Sequence, residues 1–254
     1  MQEQIHQILT QQNILHHTNE GILICQIHGP HEGITLTKAL LYGLVDQKTA
    51  LYLSGGKTPK SLYEKMALEE QLSPGAVGIV DERFGKKFHP TSNEKMLQDT
   101  GLLRYLQMRA ISFYPILQGD KTRTETSEAY DQQLRELNTI FPKSIALMGI
   151  GADGHTSSLA PNRKDFTNPM FAPEQKHLLV SELNDPKSVY GERVGMTFLG
   201  LSMMDLLLVL VIGEDKKEAL ELLFTEGKEE EIPARFYKRP DIAQKTLIIT
   251  DQQV

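Results

Sequence analysis

A chain of 254 residues that is 40% hydrophobic and 24% charged can bury a sizeable core, which excludes a disordered or fibrous protein. Its 27 basic and 33 acidic residues leave a net charge of −6, so binding a polyanion such as DNA would take a concentrated basic patch. The densest basic stretch, Arg83 with Lys86 and Lys87, holds three charges, which excludes nucleic acid as a partner and points to a small anionic ligand.

Along the chain, apolar runs alternate with helix-like segments. Strands are expected at 50–53, 77–80, 112–116, 144–148, 177–181, 206–212 and 246–250, with helices at about 31–45, 59–69, 92–100, 125–137 and 214–223. Most of the strand runs are continuously apolar, as strands buried on both faces are. The alternation predicts an α/β fold, a three-layer doubly wound sheet, mostly parallel, with helices on both faces. Thr58 before Pro59 reads as an N-cap followed by a first-turn proline, and Thr122 with Glu125 reads as a capping box. Nothing resembling a linker or a repeat divides the chain, so residues 1–254 are expected to form one domain. The acidic stretch 226–231 reads as a solvated turn. The lone Cys25 excludes an intrachain disulfide, and the opening MQEQIHQILT lacks the basic and apolar regions of a signal peptide, so a cytoplasmic protein is expected. The longest apolar run has seven residues, far short of the roughly 20 that span a bilayer.

Ligand crevices of open α/β sheets lie at the carboxyl ends of the strands, and three predicted strand ends run into loops rich in glycine or charge. The first is Ser54-Gly55-Gly56-Lys57-Thr58-Pro59. It reads either as a phosphate cradle, where paired glycines let the backbone approach an anion at a helix start, or as an ordinary strand-to-helix turn. It lacks the spacing of a P-loop. The second is Asp81-Glu82-Arg83, followed by His89 and by Ser92-Asn93, in which Arg83 either holds an oxyanion or phosphate or forms an ion pair in a solvated loop. The third is Gly149-Ile-Gly151-Ala-Asp153-Gly154-His155-Thr-Ser157-Ser158. Its glycines match G-x-G-x-x-G, yet Pro161, Pro169 and Pro173 leave no crossover helix, and Glu174 precedes the next strand instead of following it, so a dinucleotide fold is rejected. His155 reads as a general base with Asp153 fixing its tautomer, or as a loop histidine bonded to backbone. Ser157 and Ser158 lack a nucleophile elbow and read as helix caps. Arg193 and Lys216, near later strand ends, are further candidate anion contacts or solvated surface charges. No histidine has metal-ligand spacing, so no metal is expected.

Taken together these loops resemble the 6-phosphogluconolactonase family, within the larger group that includes glucosamine-6-phosphate deaminases. The resemblance rests on Ser54 to Pro59, Asp81-Glu82-Arg83 with Ser92-Asn93, Gly149 to Leu159 with Pro161, Arg193 with Thr197, and Gly213 to Lys216, in family order. The deaminase branch has Asn-Gly-His and Asp-Glu-Tyr where this chain has Asp-Gly-His and Asp-Glu-Arg. The resemblance implies cofactor-free hydrolysis of 6-phosphoglucono-1,5-lactone to 6-phosphogluconate, the second step of the oxidative pentose phosphate pathway. It implies His155 as base, Asp153 orienting it, and Arg83 stabilising the oxyanion or a substrate oxygen. Gly55, Gly56, Lys57, Thr58, Arg193 and Lys216 would hold the phosphate. Lys57 departs from the family's usual Gly-Gly-Ser-Thr-Pro and either adds a phosphate contact or points to solvent, and residues 1–47 carry no family motif. The expected partner is a sugar phosphate, with the protein a monomer or small homo-oligomer. An aldose-ketose isomerase acting on an amino-sugar phosphate and a non-catalytic phosphosugar sensor are the competing readings.

Overall fold

The computed structural model describes residues 1–162, 178–185 and 191–253. The chain opens with helix α1 (Gln2–Gln11), a hairpin of β1 (Leu15–Asn19) and β2 (Ile22–Gln26), and helix α2 (Pro30–Leu44). Then β3 (Thr49–Leu53), α3 (Lys57–Glu69), β4 (Ala76–Ile79) and β5 (Asp81–Arg83) follow, succeeded by α4 (Asn93–Asp99), α5 (Leu102–Met108) and β6 (Ser112–Tyr114). Helix α6 (Arg123–Ile140) leads into β7 (Lys143–Gly149). After it come β8 (Val180–Asp185), β9 (Gly191–Met196), α7 (Phe198–Ser202) and β10 (Leu206–Val211). A 3-10 turn at Glu214–Lys216 runs into α8 (Lys217–Phe224), and the 3-10 segment Pro233–Lys238 and α9 (Pro240–Ala243) lead to β11 (Thr246–Thr250).

Eight strands form the central sheet in the order β1-β2-β11-β10-β7-β3-β4-β6, parallel throughout except for the β1–β2 hairpin. Helices flank it. Strands β3, β10 and β11 are buried at every residue, which is why they read as unbroken apolar runs. The capping box at Thr122 and Glu125 is present and starts the 18-residue α6. The helix expected from Pro59 begins two residues earlier. Gly56, at φ 125°, is its N-cap, and Thr58 sits inside the first turn. A glycine can take that backbone angle and so lets the helix start directly behind the strand.

A second sheet, β5-β9-β8, is antiparallel. It corrects the reading of Asp81 to Arg83 as a loop, because these residues pair with β9. It also shifts the strand expected at 177–181, since β8 starts at Val180 while His177 lies outside the described residues, as do Pro169, Pro173 and Glu174. No helix follows the Gly149, Gly151, Gly154 triad through Asn162, in keeping with rejection of the dinucleotide fold. Ser157 and Ser158 do not cap a helix; they lie in a turn closed by the bridge Thr156↔Leu159. Among the described residues no helix is long and apolar enough to cross a membrane.

Candidate active site

The sheet winds in opposite directions from β3 and β7, which lie side by side, and this switch in strand order opens a crevice at their carboxyl ends. A cavity of about 530 Å³ lies there, within the size range of small-molecule sites. It is lined from four directions: by Ser54 to Pro59 after β3, by Asp81, Arg83 and Asn93, by Met148 to Gly151 with His155 and Ser157, and by Arg193, Asp215 and Lys216. The residues expected to form a site are thereby brought together. Asp153 stands one step behind, reaching the cavity through His155.

The first wall is the β3–α3 turn. The N–H groups of Lys57 and Thr58 belong to the first helical turn, where no intrahelical acceptor exists and the helix dipole favours an anion. Tyr63 Oη donates to the Ser54 carbonyl at 2.8 Å and pins the turn to its own helix. Gly55 packs so closely on Asn93 that a Cβ there would stand 2.0 Å from Asn93 Oδ1. Any side chain at Gly55 would separate the cradle from the second wall.

That wall is β5 and the loop behind it. Successive side chains of a strand point to opposite faces, so Asp81 and Arg83 face the cavity while Glu82 is driven into the interior. Arg83 Nη1 donates to the Thr91 carbonyl and to Asn93 Oδ1, both at 2.9 Å, and Asn93 Nδ2 donates to the Asp81 carbonyl at 2.7 Å. Across the ladder, Arg83 stands opposite Arg193 in register. Like charges placed opposite each other in a sheet repel. Asp81 offsets this in part, its Oδ2 accepting from Arg193 Nη1 at 3.2 Å and from Ser158 Oγ at 3.1 Å. An anion bound between the two arginines would be attracted by both. Burial pushes the Glu82 carboxyl up to about 7, against the opposing pull of three backbone N–H groups.

The third wall carries the histidine. The loop after β7 is closed by Gly151 N–H donating to the His155 carbonyl at 2.8 Å and by Gly154 N–H to the Gly151 carbonyl at 2.9 Å. Gly151 lies under the imidazole, where a Cβ would meet His155 Nδ1 at 1.9 Å. His155 Nδ1 donates to Asp153 Oδ1 at 2.6 Å, and the same oxygen accepts the His155 backbone N–H at 3.2 Å. Partial burial works against the Asp153 charge, but these bonds and the adjacent imidazole hold its carboxyl below the usual carboxylate range. The next residue, Thr156, is buried, with its hydroxyl 2.6 Å from Tyr237 Oη and 3.2 Å from the Gly149 carbonyl. Tyr237 anchors the loop from a segment 81 residues away, and no local pattern signals it. Asp81 and Asn93 were visible within motifs, but only the ladder and the loop show what they hold.

Lys216 ends the 3-10 turn after β10 and lies 3.4 Å from Asp215 Oδ2 at the rim. Lys57 lines the cavity from the first position of α3. With Arg83 and Arg193, four cations border a space that holds two carboxylates, Asp81 and Asp215, a balance suited to an anionic ligand. Among the described residues no cluster of His, Cys, Asp and Glu is placed to hold a metal ion.

Residues 16–247 match the family model described as glucosamine-6-phosphate isomerases/6-phosphogluconolactonase. A 6-phosphogluconolactonase of Helicobacter pylori strain J99 is 31% identical over 188 residues, 73% of this chain and 77% of that protein. One from Xylella fastidiosa strain 9a5c is 30% identical, covering 68% of this chain and 71% of its own. The fold is similar to that of a 6-phosphogluconolactonase from Plasmodium vivax (TM-score 0.76, 17% identity, 98% of this chain and 95% of that one). It is also similar to one from Thermotoga maritima (TM-score 0.67, 21% identity, 91% and 99%).

Proposed function

The chain belongs to the glucosamine-6-phosphate isomerase/6-phosphogluconolactonase family, and from that premise we propose that it hydrolyses 6-phosphoglucono-1,5-lactone to 6-phosphogluconate. The observation that carries this reading is the His155 imidazole, whose Nδ1 is committed to Asp153 at 2.6 Å and which borders the same cavity as four cations. With Nδ1–H donating, Nε2 is the basic nitrogen.

In the proposed reaction Nε2 takes a proton from water as the water oxygen bonds to the lactone carbonyl carbon, and Asp153 stabilises the imidazolium that forms. Negative charge then develops on the carbonyl oxygen, where Arg83 is the available donor. Collapse breaks the bond from this carbon to the ring oxygen, the imidazolium returns its proton to that oxygen, and the product leaves as an open-chain carboxylic acid that ionises. Gly55, Gly56, Lys57, Thr58, Arg193 and Lys216 hold the phosphate, which does not react and serves to bind and orient. The steps as written need one base and one electrophile and call for no cofactor. The Asp-Glu-Arg and Asp-Gly-His motifs favour lactone over amino-sugar phosphate. A single cysteine in 254 residues supports a cytoplasmic enzyme, acting as a monomer or small homo-oligomer.

The test is hydrolysis of freshly generated 6-phosphogluconolactone, coupled to 6-phosphogluconate dehydrogenase, with the spontaneous rate subtracted and His155→Ala measured beside the wild type. Acceleration is expected from the wild type, with a loss on the order of 10²- to 10⁴-fold in the variant. A wild type no faster than background would overturn the reading and direct attention to ammonia release from glucosamine-6-phosphate.

A further inference from the structure

Beneath the cavity lies a buried carboxyl group that the proposed mechanism does not use. Glu82 is fully buried on the interior side of β5, and its two carboxyl oxygens collect three backbone N–H donors. Oε1 accepts from Arg83 at 2.7 Å and from Asn93 at 2.8 Å, and Oε2 accepts from Glu94 at 2.9 Å. These donors lie at the two ends of one loop. Arg83 opens it, while Asn93 and Glu94 begin α4 where it closes. The side chains at both ends reach the cavity and are joined there by the bond from Arg83 Nη1 to Asn93 Oδ1. Asn93 in turn fixes the gap to Gly55, which has no room for a Cβ against it.

We propose that Glu82 is a positioning residue, its buried carboxyl closing the ends of the 83–93 loop so that Arg83 is held at a set distance from the Gly55–Gly56 cradle. The substrate's phosphate and reacting carbonyl must be engaged together, so an error at either end of that span is felt in catalysis. Among the described residues no cation offsets Glu82 by direct contact. Its partners are backbone amides, and burying such an acid is costly, a cost a purely structural site avoids with an apolar residue. Asn93 acts through Arg83 too, since its amide is spent on Arg83 and on the Asp81 carbonyl. The neighbouring Glu94 is different: its Oε1 accepts from Leu117 N–H and ties α4 to the segment after β6, away from the cavity.

The inference rests on the lactonase reading for what Arg83 does, so its test has a readout that does not need turnover. A double-mutant cycle of Glu82→Gln with Arg83→Ala is measured both as kcat/KM for the lactone and as Kd for 6-phosphogluconate by calorimetry. Glutamine keeps the shape but turns an amide NH2 toward an N–H donor. In the wild-type background Glu82→Gln is expected to cost roughly 10-fold or more, and in the Arg83→Ala background less than about threefold, the mark of two residues acting as a unit. Equal losses in both backgrounds would show a general structural effect and overturn the proposal. Wild-type protein that binds 6-phosphogluconate without turning over the lactone would sink the lactonase reading alone, leaving the cycle in Kd to decide. Should Glu82→Gln not fold, native-state hydrogen exchange of the unmodified protein decides instead. The Arg83, Asn93 and Glu94 amides are expected to be protected as a set, and exchange at the rate of exposed loop amides would overturn the clamp.

Discussion

Asp153 and His155 are two positions apart, and the bond between them needs only the tight glycine loop that surrounds them. This made the pair readable from the sequence: the spacing places carboxylate and imidazole within reach whatever the remaining fold does. Its mechanistic content is the tautomer. Asp153→Asn offers Nδ1 either an acceptor oxygen or a donor NH2, and the donor orientation would put the proton on the wrong nitrogen. We expect kcat to fall by roughly 10-fold or more with KM nearly unchanged, because the lost interaction is one made to the base and not to the bound phosphate. An unchanged kcat would remove Asp153 from the mechanism. The opposite split is expected for the phosphate handles. Arg193→Ala and Lys216→Ala should mainly raise KM, since a remote, unreacting group contributes largely uniform binding, and steady-state kinetics showing lost turnover at constant KM would contradict the assignment. Asp81, Asn93 and Tyr237 could not be assigned in this way. Each acts on residues that only the folded ladder or a contact across 81 positions brings near it.

At the scale of the element, β5 holds the clearest gap between sequence and fold. Three adjacent charges read as a loop at a strand end, with Arg83 either on an anion or in a solvated ion pair, but an antiparallel partner in β9 turned them into a strand, and a strand's two-residue period then divided them between cavity and interior. That partner is over a hundred residues away, which is why no local pattern announced it. The division has a consequence for stability against pH. Burial raises the Glu82 carboxyl from 4.5 to about 7, and burial raises Glu94, its acidic neighbour, as well. Between those values the native state holds a proton that the unfolded chain has released, so stability must fall as pH rises through this window and level off above it. For Glu82 the displacement corresponds to about 3 kcal/mol at most. Chemical denaturation at pH 5 and pH 8 should therefore show a decline in the wild type that is smaller in Glu82→Gln, which carries no ionisable group there. A decline of the same size in both proteins would assign it to other groups.

Across the whole molecule, the central strands β3, β4, β7, β10 and β11 were legible because burial on both faces leaves an unbroken apolar run, and the edge strand β6 falls within the expected 112–116. The β1 edge was not legible. Strand β1 reads Leu-His-His-Thr-Asn with its first four residues exposed, so neither alternation nor an apolar run marks it, and the whole segment 1–47 stayed unassigned apart from α2. Its hairpin nevertheless completes the sheet, because β2 pairs in parallel with β11 and places Cys25 beside Ile249. The Cys25 side chain is fully buried, and burial pushes its thiol up to about 12, so it is both inaccessible and un-ionised where thiol reagents act. Whether β2 opens alone or with the core can be read from this one atom. A strand covered by β1 on one side and β11 on the other should open only with the central sheet. Labelling at pH 8 should then be negligible in the native protein and should rise with denaturant along the slope of global unfolding. Rapid labelling that does not depend on denaturant would instead mean that the hairpin detaches from β11 while the four walls of the cavity stay folded.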